Sequence, residues 1–357
     1  MTSVDTSLLT HRWRKLLLPP APNCPKLALT HYITAPWADA IALAHFQGEV
    51  AARLNPAIAM FLEAFGLRLD PFLDTADPAF YYDTLPGAHG RRRLVQCMAQ
   101  GRGLAAVVGP IGAGKTTLLN AVEQELLGDE RNMVGAILDP TFASETELLV
   151  AIAETFGFDV DSSAPVRAIK DALKRSLFEA AAVRRQPILL IDEAQLLPEA
   201  LFEPLRALLN YQLDDRKLLC IALSGQMELA GAVMRHPNFG DRVGLWIELG
   251  PLSESESAGL LHHRLRCAGF SSDRSPFQDE ALRALWLHSS GIPRRLTTLA
   301  RESMEVAAEY ARREVRRADV EAAVKRSLPL SLVTSSSTHA ARTLRPRQWW
   351  QWWRSAS

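Results

Sequence analysis

From Phe61 onward, short unbroken apolar runs alternate with stretches in which apolar residues recur every three or four positions. The runs predict strands at Leu104–Val108, Met133–Leu138, Pro187–Ile191, Leu218–Leu223 and Leu245–Leu249. The periodic stretches between them predict helices at Thr116–Leu127, Glu145–Phe156, Val166–Val183 and Pro198–Tyr211. Strands that lack polar alternation are those covered on both faces. Strand–helix alternation at this spacing predicts an α/β fold: a five-stranded parallel sheet with helices on both sides. After Gly250 the strands stop. Ser253 and Glu256 have the spacing of a capping box. Helices near 254–268, 278–289, 293–311 and 318–327 then read as a small C-terminal helical lid.

The ends break this pattern. Residues 1–60 form an N-terminal arm in which prolines interrupt "LLLPPAPNCP", while Trp37–Leu54 keep helical spacing. That segment reads either as an arm packed on the main domain or a neighbouring subunit, or as a helix-turn-helix. Residues 329–357 are polar and expected to be disordered, with Arg342, Arg345, Arg347 and Arg354, no acid, and four tryptophans from Trp349 to Trp353. Amphipathic rings flanked by arginine suit a membrane interface, a partner's socket or single-stranded nucleic acid, or have no partner at all. "RREVRR" (Arg312–Arg317) reads as a solvated helix end or a DNA contact. The expected domains are therefore 1–60, 61–250, 251–328 and 329–357.

Bulk composition narrows the class. Of 357 residues, 48% are apolar and 22% charged, as in an ordinary globular protein, and 40 basic residues balance 40 acidic ones. Polyanion binding through net charge is thereby excluded, though local patches are not. Four scattered cysteines argue against a disulfide framework or zinc site and for a reducing cytoplasm. No apolar run reaches the length of a membrane span, and "WRKLLLPPAP" is cut too short for a signal peptide.

Chemistry concentrates at "VVGPIGAGKTTLLNAV" (Val107–Val122), which matches G-x-x-x-x-G-K-[ST] between a strand and a helix. Backbone N–H groups of Gly109, Pro110's successors, Gly112, Ala113 and Gly114 can curl around a polyphosphate, with Pro110 helping to set the turn. The next helix offers its N-terminal dipole, Lys115 can bridge the terminal phosphates, and the Thr116 hydroxyl can ligate Mg²⁺ with Thr117 beside it. "PILLIDEAQ" (Pro187–Gln195) supplies the second half. Asp192 can hold the Mg²⁺ shell and Glu193 can polarise the attacking water. The bland reading of these two carboxylates is that they cap the next helix.

"FGLRLDPF", "DPAFYYDT", "LLIDEAQLLPEALFEPLRALLN", "LCIALSGQMEL", "LGPLSESE" and "SSGIPRRLTTLA" extend the likeness over residues 61–328. This stretch resembles the AAA+ ATPases, and within them the family of general secretion pathway protein A, the ExeA-like ATPases. The resemblance implies a P-loop NTPase core that binds ATP and Mg²⁺. It implies that Gln226 senses the γ-phosphate, that Arg294 reaches the nucleotide from the lid, and that Arg242 is an arginine finger acting on the next subunit, with Arg235 as runner-up. Phe72 and Phe80 either border the adenine or pack in the core, and His89 has no catalytic role. Relatives of this family continue into a transmembrane helix and a peptidoglycan-binding domain, which this sequence does not show.

Three uses of ATP follow as expectations. One is a homo-oligomeric ring or filament working as a cytoplasmic motor or assembly factor for a secretion or pilus-like envelope system, in peripheral membrane contact through the Trp/Arg tail. The second is a transposition helper on duplex DNA. The third is a nucleotide-gated scaffold with little turnover.

Overall fold

The structure, a computed structural model, describes residues 56–73, 80–213, 216–272 and 274–327. The readings of the N-terminal arm up to residue 55, of part of "DPAFYYDT" and of the Arg/Trp tail lie outside the described residues.

In chain order the elements are α1 (Pro56–Phe65), α2 (Leu85–Ala99), β1 (Leu104–Val108), α3 (Lys115–Leu127), β2 (Asn132–Ile137), α4 (Glu145–Phe156), α5 (Val166–Ala182) and β3 (Gln186–Ile191). Two 3₁₀ turns, Ala194–Leu196 and Glu199–Leu201, lead to α6 (Phe202–Leu208) and a small hairpin, β4 (Gln212–Leu213) and β5 (Arg216–Lys217). Then come β6 (Cys220–Gly225), α7 (Met227–Met234), α8 (Pro237–Gly240) and β7 (Val243–Glu248). The lid follows as α9 (Glu254–Cys267), α10 (Asp279–Ser289), α11 (Pro293–Glu309) and α12 (Arg317–Ser327).

The sheet is five-stranded and parallel, in the order β2-β3-β6-β1-β7. Its three central strands, β3, β6 and β1, are buried at every position, while edge strand β7 alternates buried and exposed. That contrast follows from position: a central strand meets helices on both faces, an edge strand on only one. Leu189, Ile191, Ile221 and Leu223 pack against α4 to α7. Ala105, Val107, Ile188 and Leu190 point the other way, onto α2 and α3.

Local chemistry sets the helix starts. Thr84 caps α2 by accepting from the Gly87 N–H at 3.0 Å, with proline in the first turn. Ser144 caps α4. Ser253 and Glu256 close the capping box of α9. The single long helix expected over Pro198–Tyr211 is instead a 3₁₀ turn followed by α6. Pro204 lacks an N–H, so the helix can run through that residue only where the N–H is not needed, in its first turn.

The lid has its own core, built on Leu261, Leu265, Leu285, Leu296, Ala300 and Met304. Phe61, Phe65, Leu67 and Phe72 belong to that core. The segment opening at Phe61, read from sequence as the start of the sheet domain, thus packs among the lid helices. Arg301 on α11 holds the buried Asp70 at 2.7 Å, and Asp70 also accepts from the Phe72 N–H at 2.9 Å. Breaking such a pair would leave a buried carboxylate without its cation, so the segment stays anchored.

Glu123 sits buried on α3, and desolvation raises its carboxyl to about 7. Between the usual carboxylate range and about 7, the folded chain keeps a proton that the unfolded chain releases, so stability falls as pH rises and levels off above that point. Glu123→Gln removes this penalty. In thermal melts the variant should be more stable than wild type at pH 8, by up to about 3 kcal/mol, and equal to it near pH 4.

Candidate functional site: a nucleotide cleft between sheet and lid

The lysine loop leaves β1 at Val108 and turns into α3. Gly112 and Gly114 take positive φ, 79° and 93°, which L side chains rarely adopt. At Gly112 space is equally restrictive, since a Cβ would lie 2.8 Å from Cβ of Arg294. The Gly112 carbonyl accepts the Arg294 N–H at 3.1 Å. Main chain of the phosphate loop therefore touches main chain of the lid. A second tie runs nearby, where the Leu252 N–H donates to the Gly291 carbonyl at 2.8 Å and the Trp286 indole donates to Leu252 O at 3.0 Å.

Lys115 is 6% exposed, and its Nζ donates to the carbonyls of Gly109 and Pro110 at 3.0 and 3.1 Å. Burial pulls its pKa down. Glu193 and Asp192 push it back up, and Arg294 lowers it further. The Thr116 hydroxyl donates to Asp192 Oδ2 at 2.5 Å. Asp192 Oδ1 accepts from the Ser224 hydroxyl at 2.8 Å and from the Glu193 N–H at 2.9 Å.

These groups stand at the carboxyl ends of three neighbouring strands. β1 carries Gly109 to Thr117, β6 carries Ser224 and Gln226, and β3 carries Asp192 and Glu193. Strand tips of an open parallel sheet are where ligands bind. A cleft of about 420 Å³ opens over them. Glycines 112 and 114, Ala113, Lys115, Thr116 and Thr117 line its floor, with Glu193 and Gln226 on one side and Arg294 from the lid on the other. Aromatic residues Phe80, Tyr81 and Tyr82 line the remaining wall. Burial, and then Asp83 beside it, push the Tyr81 phenol above its ordinary range, so it remains a neutral donor.

Of the two phenylalanines, Phe72 is 3% exposed, faces Phe277 and does not reach the cleft, whereas Phe80 lines it with the Arg264 guanidinium over its ring. His89 is exposed on α2 and away from the cleft. Arg242 is not in the cleft either. It precedes β7, at the end of the sheet opposite the lysine loop, roughly 16–20 Å away by strand length. Arg235 is engaged with Glu199, as is His236. In "RREVRR", Arg312 pairs with the buried Asp319 and Arg317 with Glu321.

Two residues bonded to the site's acids escaped the sequence reading. Ser224 is a lone hydroxyl near the end of an apolar strand, and Gln195 lies just past the two acids. Only the first carries a sequence signal, a polar residue where the strand is otherwise apolar.

The residues present fit a magnesium nucleotide. The loop has backbone room that a side chain would fill, an ammonium among its carbonyls, and a hydroxyl–carboxylate pair of hard oxygen donors. Fold and site together define an AAA+ P-loop protein. A family model described as an AAA domain matches residues 97–233. The chain is 31% identical, over 238 residues, to General secretion pathway protein A of Aeromonas hydrophila. That alignment takes in 66% of this chain and 42% of the relative, so the chain spans less than half of that protein's length. The structure of Drosophila ORC bound to DNA superposes with a TM-score of 0.58 at 15% identity, covering 93% of this chain and 77% of that one. The Aeropyrum pernix ORC2 protein, in its ADPNP–ADP complexes, gives 0.52 at 16%, covering 72% and 74%. Likeness at that identity is one of fold. By sequence the chain carries a match to the AAA domain and is similar to general secretion pathway protein A.

Lys115→Ala should weaken a fluorescent ATP analogue about 10- to 100-fold in titration while leaving the melting temperature near wild type. Gly112→Ala should lower both, because its Cβ strains the contact with the lid.

Proposed function

We propose that this chain binds ATP with Mg²⁺ and hydrolyses it within a homo-oligomer, a ring or filament, as a motor or assembly factor for a secretion or pilus-like envelope system. The observation that carries the reading is the convergence of Lys115 and Thr116, Asp192 and Glu193, and Gln226 at three adjacent strand tips, with Arg294 entering from the lid. Sequence likeness to General secretion pathway protein A supports the choice of pathway.

Phosphoryl transfer asks for positioning and charge stabilisation rather than covalent help from the protein. Backbone N–H groups of the loop and the start of α3 hold the polyphosphate. Lys115 leaves its carbonyl partners for the terminal phosphates, and its positive charge balances the charge spread over them. Thr116 and Asp192 would hold Mg²⁺, which supplies further neutralisation when bound. Glu193 accepts a proton from water as its oxygen attacks the γ-phosphorus and the bond to the bridging oxygen breaks, leaving ADP and phosphate. Gln226 and Arg294 border the same space and report its occupancy to the two domains. Arg242 lies at the end of the sheet opposite its own cleft and forms no ion pair among the described residues, which suits a role in the cleft of a neighbouring copy.

The pathway is tested by ATP turnover of the full chain alone, with duplex DNA and with anionic liposomes. Stimulation by liposomes, lost on removing residues 329–357, supports the envelope reading. Stimulation by DNA that fades with salt supports a transposition helper instead. Intact ATP binding with negligible turnover in all three supports a scaffold. Glu193→Gln should retain ATP without turning it over. Mixing it with Arg242→Ala subunits should restore part of the activity if the arginine works in trans.

A further inference from the structure

Glu193 is held in an unusual way. Its backbone is left-handed, φ 47°, although it is not a glycine, so the chain folds sharply back just after β3. Two residues on, the Gln195 side chain spans the gap between the acid and the next strand. Its Nε2 donates to Glu193 Oε2 at 2.5 Å, and its Oε1 accepts the Gln226 N–H at 2.9 Å. Space for the amide comes from Gly225, where a Cβ would stand 2.7 Å from Gln195 Oε1. A single amide thus joins the carboxylate on β3 to the main chain leaving β6.

From this geometry we infer that Gln195 is a positioning residue for hydrolysis, which fixes the Glu193 carboxylate against the Gln226 turn and aims it at the attacking water. The inference rests on the ATPase reading of the cleft. A neutral amide suits the task. It restrains Oε2 without cancelling the negative charge that makes a base, and among the described residues Oε1 has no hydrogen-bond partner, on a residue that lines the cleft. An arginine or lysine in its place would neutralise the carboxylate. The other end of the amide is tied to the backbone of Gln226, itself a cleft residue. A shift of that turn on binding phosphate must therefore move the amide and, with it, the base.

The test compares Gln195→Ala and Gln195→Glu with wild type, as full chains at saturating Mg²⁺. Gln195→Glu keeps an oxygen for the Gln226 N–H but loses the donor to Glu193 and sets a like charge beside it, so it separates the two halves of the bridge. Both variants should bind a fluorescent ATP analogue within about twofold of wild type. Both should keep KM and lose about 10- to 100-fold in kcat, the scale of a misplaced general base. Gln195→Glu turning over like wild type would overturn the inference, because the donor would then be idle. A rise in kcat would overturn it too, since the amide would be restraining the base rather than aiming it. Equal losses of affinity and kcat would do the same, showing only that the loop needs its packing. Wild type and Lys115→Ala both failing to turn over would instead bring down the ATPase reading, and this inference with it.

Discussion

Asp192 is the joint on which the molecule depends. One carboxylate, 4% exposed, accepts from a hydroxyl on the lysine-loop helix, a hydroxyl on β6 and the backbone of its own successor. Burying a charge in this way is costly unless each lone pair finds a donor, and here the donors come from three different strand ends. The arrangement therefore holds β3, β6 and the start of α3 in register around one point. It also places two hard oxygens side by side, which is the arrangement a small divalent cation needs. Structural and chemical demands are met by the same atoms.

Around that joint the sheet and the lid pack as one compact unit but keep distinct apolar cores. The sheet has two continuous apolar layers, one on each face, and the lid has a third of its own. At the cleft they meet through the Arg294 N–H on the Gly112 carbonyl, and the segment before α2 reaches α9 with Phe80 against Arg264 and Tyr82 against His263. Arg294 from the lid and the lysine loop line the same cleft.

Much of this was legible in the sequence, for identifiable reasons. The central strands were found to within two residues because both faces are covered and the apolar runs are unbroken. The capping box at Ser253 and Glu256 gave the start of the lid without ambiguity. Glycine spacing and the acids after β3 named residues that the structure brings together at the strand tips, since phosphate chemistry needs fixed residue types at fixed intervals. What failed to show was short or distant. The β4–β5 hairpin has two residues per strand, too few to display a period. Proline hid the breaking of the helix at Pro198–Tyr211. Phe61 to Phe72 joined the lid through contacts more than two hundred residues away, including Asp70 with Arg301, and no local pattern announces such a partner. Ser224 and Gln195 act through hydrogen bonds that only the assembled strand tips create.

The lid's grip on the phosphate loop, Arg294 N–H to Gly112 carbonyl, is made of peptide groups alone. Every amino acid but proline offers the same N–H, and every one offers the same carbonyl. Exchanges of outward-facing residues on α10 to α12 thus leave the latch itself unaltered, and only added bulk at Gly112 or a lost N–H at position 294 disturbs it. The exterior of the helical body can therefore vary in sequence while the main-chain link to the loop stays the same.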